Sequence, residues 1–289
     1  MMKKIFRRIR RIKFFDVCNL LIVTGIALVS ILPIIYIVNN AFKPINELFK
    51  YPPTFFVENP TLQNFSDFFF ATSTTSVPFS RYLFNSVIVT VICVTLIVII
   101  SSTAAYAFSK MDFPGRDVIF NIIILSLMFT PSAVTITRYL IVDKLGIINT
   151  FLAHILPQLA LPVGVFLLKQ FMEQVPISLS EAAKLDGASE FVVFRKIVMP
   201  AVLPAVGTVM IIAFQNVWGD VTTSTLYMVD DSMKTLPYYI QTLTSGLSTS
   251  VARQGASAAA GLLLFLPNFI IFAIMQKSMI KTMVNSGIK

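Results

Sequence analysis

Charge is scarce in this chain. Asp, Glu, Lys and Arg make up 13% of its 289 residues, against about 25% in soluble domains. Histidine and tryptophan each occur once and cysteine twice. The lone histidine, His154, has no second histidine or neighbouring carboxylate to build a metal site or proton relay, so it reads as a packing or interfacial residue. Cys18 and Cys93 lie in apolar runs without metal or redox spacing; they read as small hydrophobes and imply no disulfide. No GxxxxGK[ST] phosphate loop is present, so the chain carries no P-loop signature for binding a nucleotide.

Apolar sequence, in contrast, is abundant at 56%. About 20 apolar residues cross a hydrocarbon core. Six runs approach that length: Val17–Val38, Tyr82–Phe108, Val118–Ile136, Phe151–Leu168, Ala201–Trp218 and Ala258–Met275. The expected fold is all-α, a polytopic membrane protein with six transmembrane helices. Val17–Val38 exceeds the apolar core of a signal peptide and no small-residue cleavage site follows it, so it is expected to remain as a span. Pro157 and Pro162 predict a kink in the fourth span, and Phe129-Thr130-Pro131 predicts a break beside a cavity in the third.

The net charge of +9 points to the membrane and not to nucleic acid, because of where it sits. Seven basic residues crowd the first thirteen, from Lys3 to Lys13, directly before an apolar run. With the N-terminus inside, sixteen of the 23 Lys/Arg fall on inner segments and seven on outer ones, the bias of the positive-inside rule. Both termini are then cytoplasmic. The chain divides into a basic segment 1–16, a membrane region 17–277 containing an inner loop 173–200, and a tail 278–289.

The outer segments carry their own signals. Ala41–Ser80 holds YPPTFF, NPTLQNF and a polar TSTTS run, fitting either an interfacial aromatic belt or a docking role. Asn64-Phe65-Ser66 matches a glycosylation sequon, a pattern short enough to arise by chance. The fifth span ends in Gln215-Asn216-Val217-Trp218-Gly219-Asp220. Polar groups at membrane depth face protein or water, so Gln215, Asn216 and Asp220, with Phe129, are candidates for a solute path. Trp218 reads either as a stacking surface for a sugar ring or as an interfacial anchor. Gly255 to Gly261, all of them small residues, permits close helix packing.

The inner loop is the one polar stretch between two apolar runs: PISLSEAAKLDGASEFVVFRKIVMPAVLP, Pro176 to Pro204. Ser178 with Glu181 three residues later matches a capping box, which predicts a helix from about Leu179. Gly187 is expected to end it at positive φ, and Ser189 to cap a second helix over Phe191–Val198. Leu179, Ala182 and Ala183 are expected to share a face of little bulk, with Lys184 and Asp186 solvated. Such a helical hairpin could be a plain surface feature or a docking knob.

Glu181-Ala182-Ala183, then Gly187, Ile197 and Pro200 at fixed offsets, resembles the EAA motif of ATP-binding-cassette importer membrane subunits. NPTLQNF, SSTAAYAFSKMDFPGR, KLGIINT, the Trp218-Gly219-Asp220 triplet and KTLPYYI are similar to the maltose-type carbohydrate importers over roughly Phe14 to Lys289. In that family Asn-Asp or Asn-Glu commonly follows the tryptophan, where this chain has Gly219-Asp220.

The resemblance implies the type I importer transmembrane fold and a permease subunit that binds no cofactor of its own. ATP and Mg²⁺ would sit on two partner ATPase subunits. It implies a second homologous permease, an extracytoplasmic solute-binding protein delivering a carbohydrate such as an oligosaccharide, and a bacterial cell membrane. ATPase coupling would fall on Glu181, Ala182, Ala183, Leu185, Gly187 and Pro200. Asp220–Arg253 would reach the binding protein, and Ser278–Lys289 the ATPase pair. An ion-coupled carrier and a polytopic membrane enzyme are the other classes weighed. The first lacks ionisable groups at mid-membrane depth and the second lacks a reactive constellation.

Overall fold

A computed structural model of the chain describes residues 14–73, 77–247 and 254–287. The basic cluster Lys3 to Lys13 and the polar tips 74–76 and 248–253 lie outside the described residues. Every regular element among the described residues is helical. The chain divides into two compact units, Met1–Ala71 with Thr244–Leu262, and Thr72–Leu243 with Leu263–Lys289.

In the first unit, Phe14–Phe42 is a helix of 29 residues, roughly 43 Å long at 1.5 Å per residue and more than enough for a 30 Å hydrocarbon core. Its Leu20, Leu21, Val23 and Val29 are all over 60% exposed, which suits lipid and not water. The loop after it is folded tightly. Glu47, 5% exposed, accepts the backbone N–H groups of Glu58 (3.0 Å) and Asn59 (2.8 Å). Lys43 Nζ donates to the Thr54 carbonyl at 2.5 Å, and Asn39 Oδ1 accepts from Val57 N–H at 3.0 Å. Asn64 Nδ2 reaches the carbonyls of Asn40, Ala41 and Lys43. The sequon asparagine is 5% exposed and therefore a structural pin. The small-residue run predicted for close packing packs closely: Ala259 and Ala260 are fully buried.

The second unit is built on Phe79–Lys110, a 32-residue helix that packs against Pro162–Glu173 and Leu203–Trp218. Val89, Cys93, Ile97, Ile155, Ala213 and Val217 form one core along it. Ala105, Leu168, Met172, Val193, Val198 and Val209 form another toward its C-terminal end.

Among the described residues, three helices are long and apolar enough to cross a membrane unbroken: Val17–Phe42, Phe79–Lys110 and Gln254–Gln276. The other three expected spans are bent pairs. Arg116–Ser126 and Pro131–Lys144 meet at 106°, so the predicted Val118–Ile136 span is an elbow. Its first arm, 11 residues, covers only about 16 Å. Pro131 lies at the elbow, opening a 3₁₀ turn where its missing N–H costs nothing. Phe151–Gln158 and Pro162–Glu173 bend by 44°, the kink expected from the two prolines. The fifth predicted span, Ala201–Trp218, is one helix over Leu203–Trp218; the segment before it, Glu190–Ala201, meets it at 82°, cornering at Val202. Pro204 cannot donate to the carbonyl of Pro200, so the helix restarts there. The final helix, Gln254–Gly287, continues beyond the predicted end of the sixth span and into the predicted tail.

Candidate functional site

The inner loop folds into the predicted helix, turn and helix, by a different start. Its first helix runs Ile177–Leu185 with Pro176 at the N-cap, and no side chain caps it. The capping-box expectation is thus corrected: proline sets the starting φ, and Ser178 falls at the second helical position instead of the cap. The C-terminal expectation holds. Gly187 has φ +83°, Ala188 N–H returns to the Ala183 carbonyl at 2.9 Å and Gly187 N–H to that of Lys184 at 3.0 Å. Those two bonds are a Schellman motif, satisfying the last carbonyls of the helix. The second helix begins at Glu190 after Ser189, whose hydroxyl makes no cap bond, and passes through a π-turn at Phe194–Val198.

This knob presents apolar side chains outward. Leu185 is 89% exposed, Phe191 65%, Ile177 61% and Leu179 51%. Glu181, Ala182 and Gly187 are exposed beside them. Ala183 departs from expectation, because it is half-buried against the core that holds Leu168, Met172 and Val193. One helical step is about 100°, so Ala182 and Ala183 are split between the outer and packed sides. Pro200 is exposed two residues before the 82° corner, on the far side of the π-turn from the EAA helix. Four side chains that the motif did not mark brace the knob: Tyr106 Oη donates to Glu190 Oε2 at 2.7 Å, Lys110 Nζ donates to the Val175 carbonyl at 2.6 Å, and Lys184 pairs with Glu190. The one sequence signal for Tyr106 and Lys110 is the AAYAFSK stretch, where they stand four residues apart.

The candidate solute-path residues do not come together as a group. Phe129 lines a cavity of about 770 Å³ at the third-span elbow, with Pro131, Arg138, Leu156, Pro157 and Pro162. That is the size range of small-molecule sites, about 300–1,000 Å³. Gln215 and Asn216 are exposed near the end of their helix and do not line it. Of the two readings of Trp218, the stacking surface does not fit its packing. The residue is 5% exposed, stacks on Phe214 at 5.7 Å and donates its indole N–H to the Leu264 carbonyl at 3.3 Å. It offers no open face to a sugar ring.

Asp220 is half-buried and structurally engaged. Its carboxylate accepts Thr223 N–H at 3.0 Å, the Thr223 hydroxyl, and Gln158 Nε2 at 3.4 Å. His154, fully buried, places Nδ1 2.8 Å from that hydroxyl and donates Nε2–H to the Met233 carbonyl at 3.0 Å. A carboxylate therefore lies one hydroxyl away from the histidine, which the spacing along the chain concealed. Among the described residues no group of three His, Cys, Asp or Glu side chains could hold a metal ion. The segment between the last two spans is likewise pinned to this unit: Asn85 Nδ2 donates to the Ser232 and Lys234 carbonyls, both at 2.8 Å, and Tyr82 stacks on Tyr239 at 4.3 Å.

Bent apolar helices packed on one long span, with an exposed helical knob after the fourth, make up the transmembrane fold of an ATP-binding-cassette importer permease. The fold matches a solved bacterial transporter that imports the acidic polysaccharide alginate, with TM-score 0.72 and 20% identity over 91% of this chain and 95% of that one. Residues 22–278 match the model of the binding-protein-dependent transport system inner membrane component, and the chain belongs to that family. Protein LplC of Bacillus subtilis is 31% identical over 96% of this chain and 95% of its own length. The arabinooligosaccharides transport system permease protein AraQ of Halalkalibacterium halodurans is 27% identical over 91% and 93%. Membership of this family places the chain among transport permeases, not ion-coupled carriers or membrane enzymes.

Proposed function

We propose that this permease forms half of the path by which a carbohydrate, in particular an oligosaccharide, enters a bacterial cell. A second homologous permease supplies the other half. An extracytoplasmic binding protein delivers the solute, and two ATPase subunits, which bind ATP and Mg²⁺, dock on the inner knob of each permease. Two relatives that carry arabinooligosaccharides and alginate support the substrate class. In this reading both termini are cytoplasmic, as the distribution of Lys and Arg supports. The final turns near Gly287 lie on the ATPase side, and the path passes the cavity beside Phe129.

The observation that carries the coupling role is the knob itself. Four large apolar side chains stand exposed on a polar inner loop, led by Leu185 at 89%. Outside lipid, a cluster like that marks an interaction surface. Glu181, Ala182, Leu185 and Gly187 are the proposed contact residues, with Ala183 setting the depth of the helix against its own core and Pro200 the exit.

Burying one leucine contributes about 1.5–3 kcal/mol, and 1.4 kcal/mol is tenfold in an equilibrium. Leu185→Asp and Glu181→Arg should therefore reduce co-purified ATPase by about tenfold or more while leaving the yield of folded permease unchanged. Tagged wild-type chain should bring down two ATPase copies and one second permease. Undiminished ATPase recovery with both variants would remove the docking role.

A further inference from the structure

The knob is fastened to the long Phe79–Lys110 helix at both of its roots. Tyr106 and Lys110 lie one turn apart on that helix and so project from the same side. Lys110 holds the carbonyl of Val175, the residue just before Pro176, at 2.6 Å. Tyr106 holds Glu190, the first residue of the second knob helix, at 2.7 Å, and Glu190 in turn pairs with Lys184 on the EAA helix. The Tyr106 ring is 6% exposed and meets the Phe194 ring edge-on at 5.1 Å. Val175 and Val193 are buried in the same core as Ala105 and Tyr106, so the two polar bonds border a packed apolar joint. Hydrogen bonds to charged groups beside such a joint are strong and directional.

The covalent exit from the knob is built differently. From Glu190 the chain passes through the π-turn at Phe194–Val198 and then an 82° corner at Val202 before the Leu203–Trp218 helix begins. A π-turn and a corner interrupt the continuous hydrogen-bond ladder that makes a helix a stiff rod. The exit from the knob is thus an interrupted hydrogen-bond ladder, whereas its roots are tied to the Phe79–Lys110 helix by side-chain bonds.

We propose that Tyr106 and Lys110 lock the knob to the Phe79–Lys110 helix as one rigid lever, so that motion imposed on the knob enters the membrane through this helix and not through the span that follows the knob. Tyr106, Lys110 and Glu190 are positioning residues in this scheme; none of them needs to touch the ATPase. The proposal rests on the reading of the knob as the ATPase dock.

The test uses the assembled importer in lipid nanodiscs, in a Cys18→Ser, Cys93→Ala background. Spin labels are placed at Asp186→Cys on the knob and Ile99→Cys on the helix, both exposed positions. Distances are read without nucleotide and after trapping with ATP and vanadate. With the clamp intact the Asp186–Ile99 distance should be the same in both states. With Tyr106→Phe and Lys110→Met together, trapping should add a second, shifted distance population, because the ATPase then drags the knob alone. Lys110→Arg with Tyr106 retained keeps both donors and should restore the single distance, which a general folding defect would not do.

An invariant distance in the clampless variant would overturn the proposal. A distance that shifts in the native importer would do so too. The mobility of the Asp186 label separates this from the docking reading: slowing on addition of the ATPase subunits supports docking, and unchanged mobility overturns it, whatever the clamp does.

Discussion

Gly255 is required by one neighbour. A Cβ at this position would lie 2.2 Å from Asn64 Oδ1, and Asn64 cannot swing aside without releasing the carbonyls of Asn40, Ala41 and Lys43. Overpacking of this kind costs typically about 1–3 kcal/mol. Gly255→Ala should lower the melting temperature of the purified permease, and adding Asn64→Ala should relieve the clash without recovering the lost bonds. Gly187 is the opposite case: no atom crowds it, and its φ of +83° alone calls for glycine. That role was legible in the sequence because a helix stop is a local matter. Roles set by neighbours distant in the chain were not. Trp218 has the right chemistry for a sugar platform, yet Phe214 and the Leu264 carbonyl occupy it. His154 looked isolated because Asp220 and Thr223 stand more than sixty residues away in the chain.

At the level of elements, the first outer loop is held by a carboxylate. Glu47 sits below the ordinary glutamate range, chiefly because the Glu58 N–H bonds its charged form, helped by Asn59 and Lys43 against the cost of burial. A group with a lowered folded pKa stabilises fully above its unfolded value, about 4.3, and loses that contribution as pH falls through the folded value. Hydrogen exchange over residues 47–59 should therefore quicken as pH drops below about 4, after correction for the intrinsic rate. Glu47→Gln should show fast exchange at neutral pH and little further change on acidification. Equal protection of the two proteins at pH 7 would contradict the latch. The bends of the helices show the same division between near and far causes. The third-span elbow and the fourth-span kink were readable because proline acts within a few residues. The knob's start was misread because Pro176 outweighs the Ser178/Glu181 pattern. The corner at Val202 was missed because it joins the missing donor of Pro204 to the packing of Val198, Val202 and Ala205 into one core.

For the molecule as a whole, the proposed orientation rests on charge and can be tested directly. In the permease alone, Leu185→Cys should react with a membrane-impermeant maleimide only in inverted vesicles, and Phe55→Cys, 41% exposed on the first outer loop, only in right-side-out ones. Reversed labelling would invert the topology and move the knob away from any ATPase. Composition, apolar run length and the placement of Lys and Arg determined by themselves that this is a helical membrane protein, and the EAA spacing determined its class. Those properties are sums over the chain or patterns within a dozen or two residues, so no partner needs to be known. The tertiary structure decided which side chains are free to act: Leu185 outward, Ala183 and Trp218 packed away, Tyr106 and Lys110 gripping the knob. Exposure and contact depend on what the fold brings alongside, and in bent, closely packed helices that neighbour is seldom a neighbour in sequence.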